Sequence, residues 1–347
     1  MRTHARTCSP RVRRFVRAAS SVLVLVAVAK SARPARAQQA SGFAVDRFEP
    51  AGAGSDFLSL ESLGYEGHLR PAAGLISAWA WKPLVVYDPQ GEVASLVRQE
   101  LVEHVMASVV MWNRARFDLD LPVPLAHSGT DVVVGTTTYG VPHGSGVGDL
   151  RLGGAVRLLE RSWGRLTGGA GAQLFLPTGD SKAFTSDGGV RFWPQLMVVG
   201  RPRVQVAGED DRLMWAARLG LHVRPENACA CDLSPGTELT AGLGAGWRFS
   251  PRWAAGPELT FATALGGRFA SRAGTAVELL LAGRVVVAPR WIVSFAVAPG
   301  LSDGAGTPIA RAVVGVQYVV AAAAPSSNSQ PSKGSEPPLD ATGPVTP

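Results

Sequence analysis

The 347 residues hold 34 Lys/Arg against 27 Asp/Glu, a formal net charge of +7, with 46% hydrophobic residues, 40 Gly and only three Cys. Nine of the basic residues and no acidic one fall within residues 1–37, so the remainder has 25 basic against 27 acidic residues, a net charge of −2. A nucleic-acid-binding role based on overall charge is therefore excluded for the processed chain. No apolar run reaches the roughly 18 residues that a spanning helix needs.

The chain opens with a basic stretch (Arg2 to Arg17), then an apolar run from Val22 to Ala29, then Ala35-Arg36-Ala37. This is the three-part order of a cleaved secretory signal peptide, 1–37, with an apolar part too short to span a bilayer. The aromatic residue directly follows Arg13-Arg14, which does not fit a twin-arginine signal, and no Cys follows the apolar run to carry a lipid anchor. Residues 38–66 have two short apolar runs and no clear period, and are expected to form an N-terminal periplasmic segment.

Period-two alternation then predicts twelve strands, at 69–83, 101–112, 116–126, 147–159, 165–177, 189–201, 212–224, 237–249, 252–264, 275–288, 290–301 and 308–320. In the eighth, Leu239, Ala241, Leu243, Ala245 and Trp247 share one face, while Glu238, Thr240, Gly242, Gly244, Gly246 and Arg248 share the other. Most segments run about 11 to 15 residues, enough for a tilted strand to cross a bilayer and longer than the usual strand of a soluble sheet. Leu96 to Val105 comes nearest to a helical period and is read as a loop leading into the second strand.

Connections alternate in length. Short ones fall at 113–115, 161–164, 207–211, 250–251 and 289; long ones at 88–100, 127–146, 178–188, 225–236, 266–274 and 302–307. A soluble sandwich has no reason to sort its loops in this way. A membrane barrel does, with short periplasmic turns, long extracellular loops and an even strand number. The expected fold is therefore all-β, an antiparallel transmembrane β-barrel of about 12 strands over 67–320, followed by a disordered Pro/Ser-rich tail at 321–347. Trp79, Trp81, Trp247, Trp253, Trp291 and Tyr318 lie near strand ends on the apolar parity, where interfacial aromatic girdles form. Pro71, Pro83, Pro122, Pro124, Pro194 and Pro257 lie within strands and each removes a ladder donor, so some should mark bulges or strand ends.

Chemistry-bearing motifs are sparse. Five His remain after the signal, and none forms a metal-spaced pair. There is no nucleophile elbow and no phosphate-cradling loop. No catalytic residue, metal or cofactor is expected, and the protein is read as a non-enzyme. Cys229 and Cys231 form Cys-Ala-Cys, read as a loop disulfide or two free thiols. The polar parity carries Arg151, Arg157, Arg191, Arg212, Arg218, Arg248, Arg284 and Arg311 against Glu238, Glu258 and Glu278. These are the candidate lumen-lining residues, which either edge a narrow pore for small solutes or pair up and zip the interior shut.

Several segments resemble a known family. Phe43-Ala-Val-Asp-Arg-Phe-Glu-Pro, Gly54-Ser55-Asp56-Phe57, Gly67-His68-Leu69-Arg70-Pro71 and Lys82-Pro83-Leu84-Val85-Val86-Tyr87 are similar to the start of the barrel of OmpA-family outer-membrane proteins. Val147-Gly148-Asp149-Leu150 and Leu176-Pro177-Thr178-Gly179-Asp180 also resemble that family and the related MetA-pathway, phenol-degradation transporter-like barrels. The resemblance covers roughly 43–320 and implies an outer-membrane barrel with a structural or transport role. The peptidoglycan-binding domain found after the barrel in many OmpA-family members has no counterpart in the tail. The closing strand, with Gly315, Tyr318 and Val320, resembles the signal read by the barrel assembly machinery. The expected partners are outer-membrane lipid, that machinery and a small solute, with no nucleic acid; the expected location is the Gram-negative outer membrane. A cell-surface binding or adhesion protein acting through loops 127–146 and 225–236 is the alternative, and a secreted soluble β-sandwich is a third class.

Overall fold

Strand alternation closes on itself in the computed structural model, which describes residues 42–88, 91–134, 137–139, 146–161, 166–201, 212–225, 236–266 and 269–320. In chain order the strands are β1 (Leu69–Asp88), β2 (Gly91–Met111), β3 (Ala115–Ser128), β4 (Val132–Val134), β5 (Thr137–Tyr139), β6 (Leu150–Arg161) and β7 (Leu166–Leu176). They continue as β8 (Arg191–Gly200), β9 (Leu213–His222), β10 (Glu238–Arg248), β11 (Trp253–Ala264), β12 (Thr275–Ala288), β13 (Trp291–Pro299) and β14 (Ala310–Val319). Twelve form a closed antiparallel barrel, each next to its neighbour in sequence, with β14 pairing back onto β1 from Ala72↔Val319 to Trp81↔Ala310. The pair β4–β5 is a small separate hairpin in the β3–β6 loop, which period-two alternation did not single out. One 3-10 turn, Ser181–Ala183, is the only helix among the described residues.

The barrel is inside-out relative to a water-soluble protein. Leu196 is 63% exposed and Leu243 59% on its outer face, while Arg151, Asp120, Glu238 and Glu258 are buried within. Strand periodicity dictates this, since alternate side chains leave opposite faces of a sheet and nearly all the charges take one parity; Glu103 on β2, bonded to Ser77, is an exception on the outer one. Trp253, Trp291 and Phe249 stand exposed at the end that carries the turns, and Trp291 packs edge-on to Tyr318 at 5.1 Å.

One connection departs from expectation. The long loop expected at 88–100 is strand instead: β1 and β2 run on to Asp88 and from Gly91 as a tall hairpin. Register shifts explain why period two failed to show it. Leu84 pairs with Val97 and Val85 with Ser95, which leaves Leu96 as an extra residue, so adjacent Leu96 and Val97 are both buried. The turn expected at 207–211 lies within residues 202–211, outside the described ones.

Prolines sit where ladders are interrupted. Pro83 follows Lys82, whose φ of 52 marks the bulge between Trp81 and Leu84. Pro124 borders the shift between Leu101 and Val102, and beyond Asp120 the β3 strand has no ladder with β6. Pro194 lies in a gap between the Phe192↔Val223 bridge and Gln195↔Gly220, and Pro257 in one between Gly244↔Glu258 and Trp247↔Ala255. A residue without an N–H fits such positions.

Candidate functional site: a lumen filled by residues 42–66

The segment expected to be periplasmic runs through the barrel instead. At the long-loop end, Gly42 N–H donates to the Ser181 carbonyl at 3.1 Å and Val45 N–H to the Phe184 carbonyl at 3.0 Å. At the short-turn end, Gly67 N–H donates to Asn113 Oδ1 at 2.6 Å, just before β1 starts. Between them the backbone folds on itself, with Ala51 N–H bonded to the Leu58 carbonyl at 2.7 Å and the Ser55 hydroxyl to the Leu60 carbonyl at 2.9 Å. The segment's apolar side chains need cover, and inside the barrel they build three clusters. Phe48, Ala53 and Leu58 pack on Ile76, Ala78 and Val313. Phe43 and Val45 pack under Leu84, Leu96, Val97 and Phe184, so the tall β1–β2 hairpin closes over them. Phe57, Leu60, Leu63 and Tyr65 pack on Val110, Met197 and Val199.

Inner-face glycines make the room. A Cβ on Gly242 would lie 2.6 Å from Leu60 Cδ2, one on Gly244 2.8 Å from Leu60 Cδ1, and one on Gly169 2.8 Å from Leu63 Cδ2. The small-residue stripe on the polar parity of β10 is thus a groove for the segment.

Most of the candidate lumen-lining residues contact this segment. Arg151, 1% exposed, donates to Glu49 at 2.9 Å and to the Pro50 carbonyl at 2.7 Å, and lies 3.3 Å from Asp120. Arg311 bridges Glu278 at 2.7 Å and Asp46 at 3.0 Å. Glu238 accepts from Arg47 of the segment and from Arg224 at 3.3 Å. Glu258 accepts from the Leu58 and Ser59 amides and the Ser59 hydroxyl at 2.7–2.8 Å, while Arg218 donates to the Ser59 carbonyl at 3.1 Å and covers the Trp193 ring. Arg284 pairs with Asp56. Arg191 instead joins Asp149 at 3.3 Å and lies 4.1 Å above the Phe175 ring. Arg212 and Arg248 line the short-turn mouth beside Arg284. Arg157 stands apart at that rim, bonded to the Asn113 carbonyl and 3.7 Å from Glu160. Cys229 and Cys231 lie outside the described residues.

Sequence reasoning missed several partners. His104 lies between Asp120 at 3.0 Å and Asp46 at 3.4 Å. Arg116 pairs with Glu61 and donates to the Gly52 carbonyl at 3.2 Å. At the long-loop mouth Asp187 accepts two bonds from Arg224, at 2.7 and 2.8 Å, and the Ala44 N–H at 2.8 Å. Burial works against the Asp187 charge, but Arg224 and Arg191 outweigh it and hold its carboxyl well below the ordinary carboxylate range. Among the described residues no cluster of three His, Cys, Asp or Glu could hold a metal.

The result is a filled interior. Among the described residues, the cavities around Asp46, Phe48 and Glu49 measure about 70 and 40 Å³. Most charges removed from water at this depth meet an opposite charge or a hydrogen-bond partner, while Glu100 Oε2 is buried without a hydrogen bond.

No protein-family model matches the chain, and no curated protein matches it. Among solved structures, the COG4313 outer membrane channel from Pseudomonas putida F1 is similar at 13% identity over 74% of this chain and 98% of that one, with a TM-score of 0.47. The NanC porin matches at 10% identity over 72% and 98%, with a TM-score of 0.43. The Pseudomonas putida toluene transporter TodX matches at 10% identity over 81% and 99%, with a TM-score of 0.39. Values this low identify neither a family nor a solute.

Proposed function

We propose that this chain is an outer-membrane β-barrel, exported through a cleaved signal peptide, whose lumen is closed at rest by its own residues 42–66 and which passes small solutes only when that segment shifts. The carrying observation is the segment itself, ion-paired to Arg116, Arg151, Glu238, Arg284 and Arg311 of the wall. The apolar outer face suits lipid and the exposed aromatics at the turn end suit a bilayer interface, which supports outer-membrane lipid as the surroundings and the barrel assembly machinery as the insertion partner. OmpA-family or phenol-degradation transporter-like kinship belongs to the same proposal, and the residues that carry it, Phe43 to Pro50 and Gly54 to Phe57, are the ones that fill the lumen. No catalytic role is assigned.

Conductance in planar bilayers tests this reading. The full-length barrel should be closed for most of the record, and a variant lacking residues 43–62 should show steady open steps. Equal conductance from both would overturn it. Surface binding is the second reading, favoured by Tyr87 and Val93, which are 49% and 55% exposed near the tip of the β1–β2 hairpin. It predicts that trimming this tip abolishes partner binding and leaves the barrel folded.

A further inference from the structure

The lower mouth of the lumen holds a feature that closure does not require. Arg201 after β8, Arg212 before β9, Arg248 at the end of β10, Arg252 in the following turn and Arg284 on β12 converge on one cavity of about 320 Å³. Phe57 of the lumen segment, Met214 and Val286 give it an apolar wall. We propose that this cavity binds a small organic anion, a carboxylate carried on an apolar body.

The charge balance is the first argument. Two carboxylates line the cavity, Asp56 and Glu258. Glu258 is occupied by the Leu58 and Ser59 donors. Asp56 serves two arginines at once, Arg284 and, at 3.1 Å, Arg201. Among the described residues, the side chains of Arg248 and Arg252 make no hydrogen bond or ion pair, and both are exposed to the cavity mouth. A guanidinium presents a planar fork that matches a carboxylate in two parallel bonds, and two such forks beside a neutralised pair leave a net positive hollow.

The second argument is shape. The arginines come from separate elements held by ladder and turn bonds: Arg248 N–H donates to the Arg212 carbonyl at 2.7 Å, and Val286 N–H to the Arg252 carbonyl at 2.9 Å. Their backbones are therefore fixed relative to one another before any ligand arrives, which lowers the ordering cost of binding. The upper lumen, where every arginine named above meets an acid or a carbonyl, has room only for water-sized guests; the lower mouth has room for a six-membered ring and its carboxylate. The apolar wall excludes a bare inorganic anion as the best fit, because a phosphate would leave Phe57, Met214 and Val286 without contact.

Binding is measured on folded protein without transport, so the site stands or falls independently of whether the barrel conducts. The experiment titrates benzoate, benzyl alcohol and inorganic phosphate into full-length protein in detergent micelles, with heat-modifiable gel migration as the folding control. Benzoate should bind saturably at one site, at least about tenfold tighter than either the neutral ring or phosphate. The double variant Arg248→Gln/Arg252→Gln should weaken benzoate at least about tenfold, the Lys/Lys pair should keep part of the affinity, and Arg272→Gln at the opposite end should change nothing. Absence of saturable benzoate binding would overturn the proposal, as would equal affinity for phosphate or an unaffected Gln/Gln variant. Glu209, Asp210 and Asp211 precede Arg212 in sequence. If benzoate binds only after Glu209→Gln/Asp210→Asn/Asp211→Asn, the chain's own acids fill the hollow and the proposal also fails.

Discussion

The two ends of the filled lumen are built differently. At the long-loop end Asp46, Arg47 and Glu49 meet Arg311, Glu238 and Arg151 in tight pairs, and the β1–β2 hairpin covers Phe43 and Val45. At the short-turn end two carboxylates, Asp56 and Glu258, lie beside Arg201, Arg248, Arg252 and Arg284 around an open hollow. The difference teaches which end seals. Close pairing of the segment's charges leaves little space around them, and an excess of one sign leaves a place for a counter-charge from outside.

Breaking the upper seal should have the largest effect. Glu238→Ala leaves Arg224 its bonds to Asp187 but takes from Arg47 its only carboxylate partner among the described residues, and breaking a buried pair from one side costs about 3–5 kcal/mol. The expected outcome is a fall of that size in unfolding free energy in urea-titrated micelles, together with open bursts in bilayer records. An equally large loss from Asp56→Ala would erase the contrast between the ends.

Overfilling the middle should cost less. Gly244→Val sets new carbon against Leu60 and Phe57, and overpacking of this kind costs about 1–3 kcal/mol. Leu60→Ala added to it should restore part of the loss, which a double-mutant cycle reads directly.

The smallest effect separates the ends by pH. The carboxyl of Asp187 has a depressed pKa in the folded chain, so its contribution is complete above the unfolded aspartate value of about 3.9 and is lost as pH falls toward the folded value. The stability gap between the protein and Asp187→Asn should stay constant at neutral pH and shrink on acidification below about pH 4. A gap that grows on acidification would contradict the Arg224 pairing.

Strand number, order and inner parity were legible in the sequence because a barrel wall repeats one rule, alternation of apolar residues with polar, charged or small ones, from strand to strand. Glu238 to Arg248 states that rule over a whole β10. Leu96 and Val97 were not legible, since a bulge puts two neighbours on one face and breaks the period. The lumen segment was hidden for another reason: it has no regular structure, so no period marks it. Two signals could have found it. Residues 42–66 carry Asp46, Glu49, Asp56, Glu61 and Glu66 against a single Arg47, the complement of an arginine-rich inner wall. Gly242, Gly244 and Gly246 stand on the polar parity, where a water-filled lumen needs no small residues and a packed one does. Parity gave the wall's inward arginines, but the segment partners of Arg151, Arg218, Arg284 and Arg311 lie 102 to 265 residues away, on a stretch without periodicity.

The most direct test of the filled lumen is a cross-link. With Cys8, Cys229 and Cys231 replaced by Ser, the pair Leu60→Cys and Gly242→Cys puts one thiol on the segment and one on the β10 wall it packs against. Oxidation or a short bis-maleimide should join them within a single folded chain, leave both thiols shielded from a bulky water-soluble reagent, and lock the barrel shut in bilayers. Two freely labelled thiols that never join would place the segment outside the barrel and contradict the account.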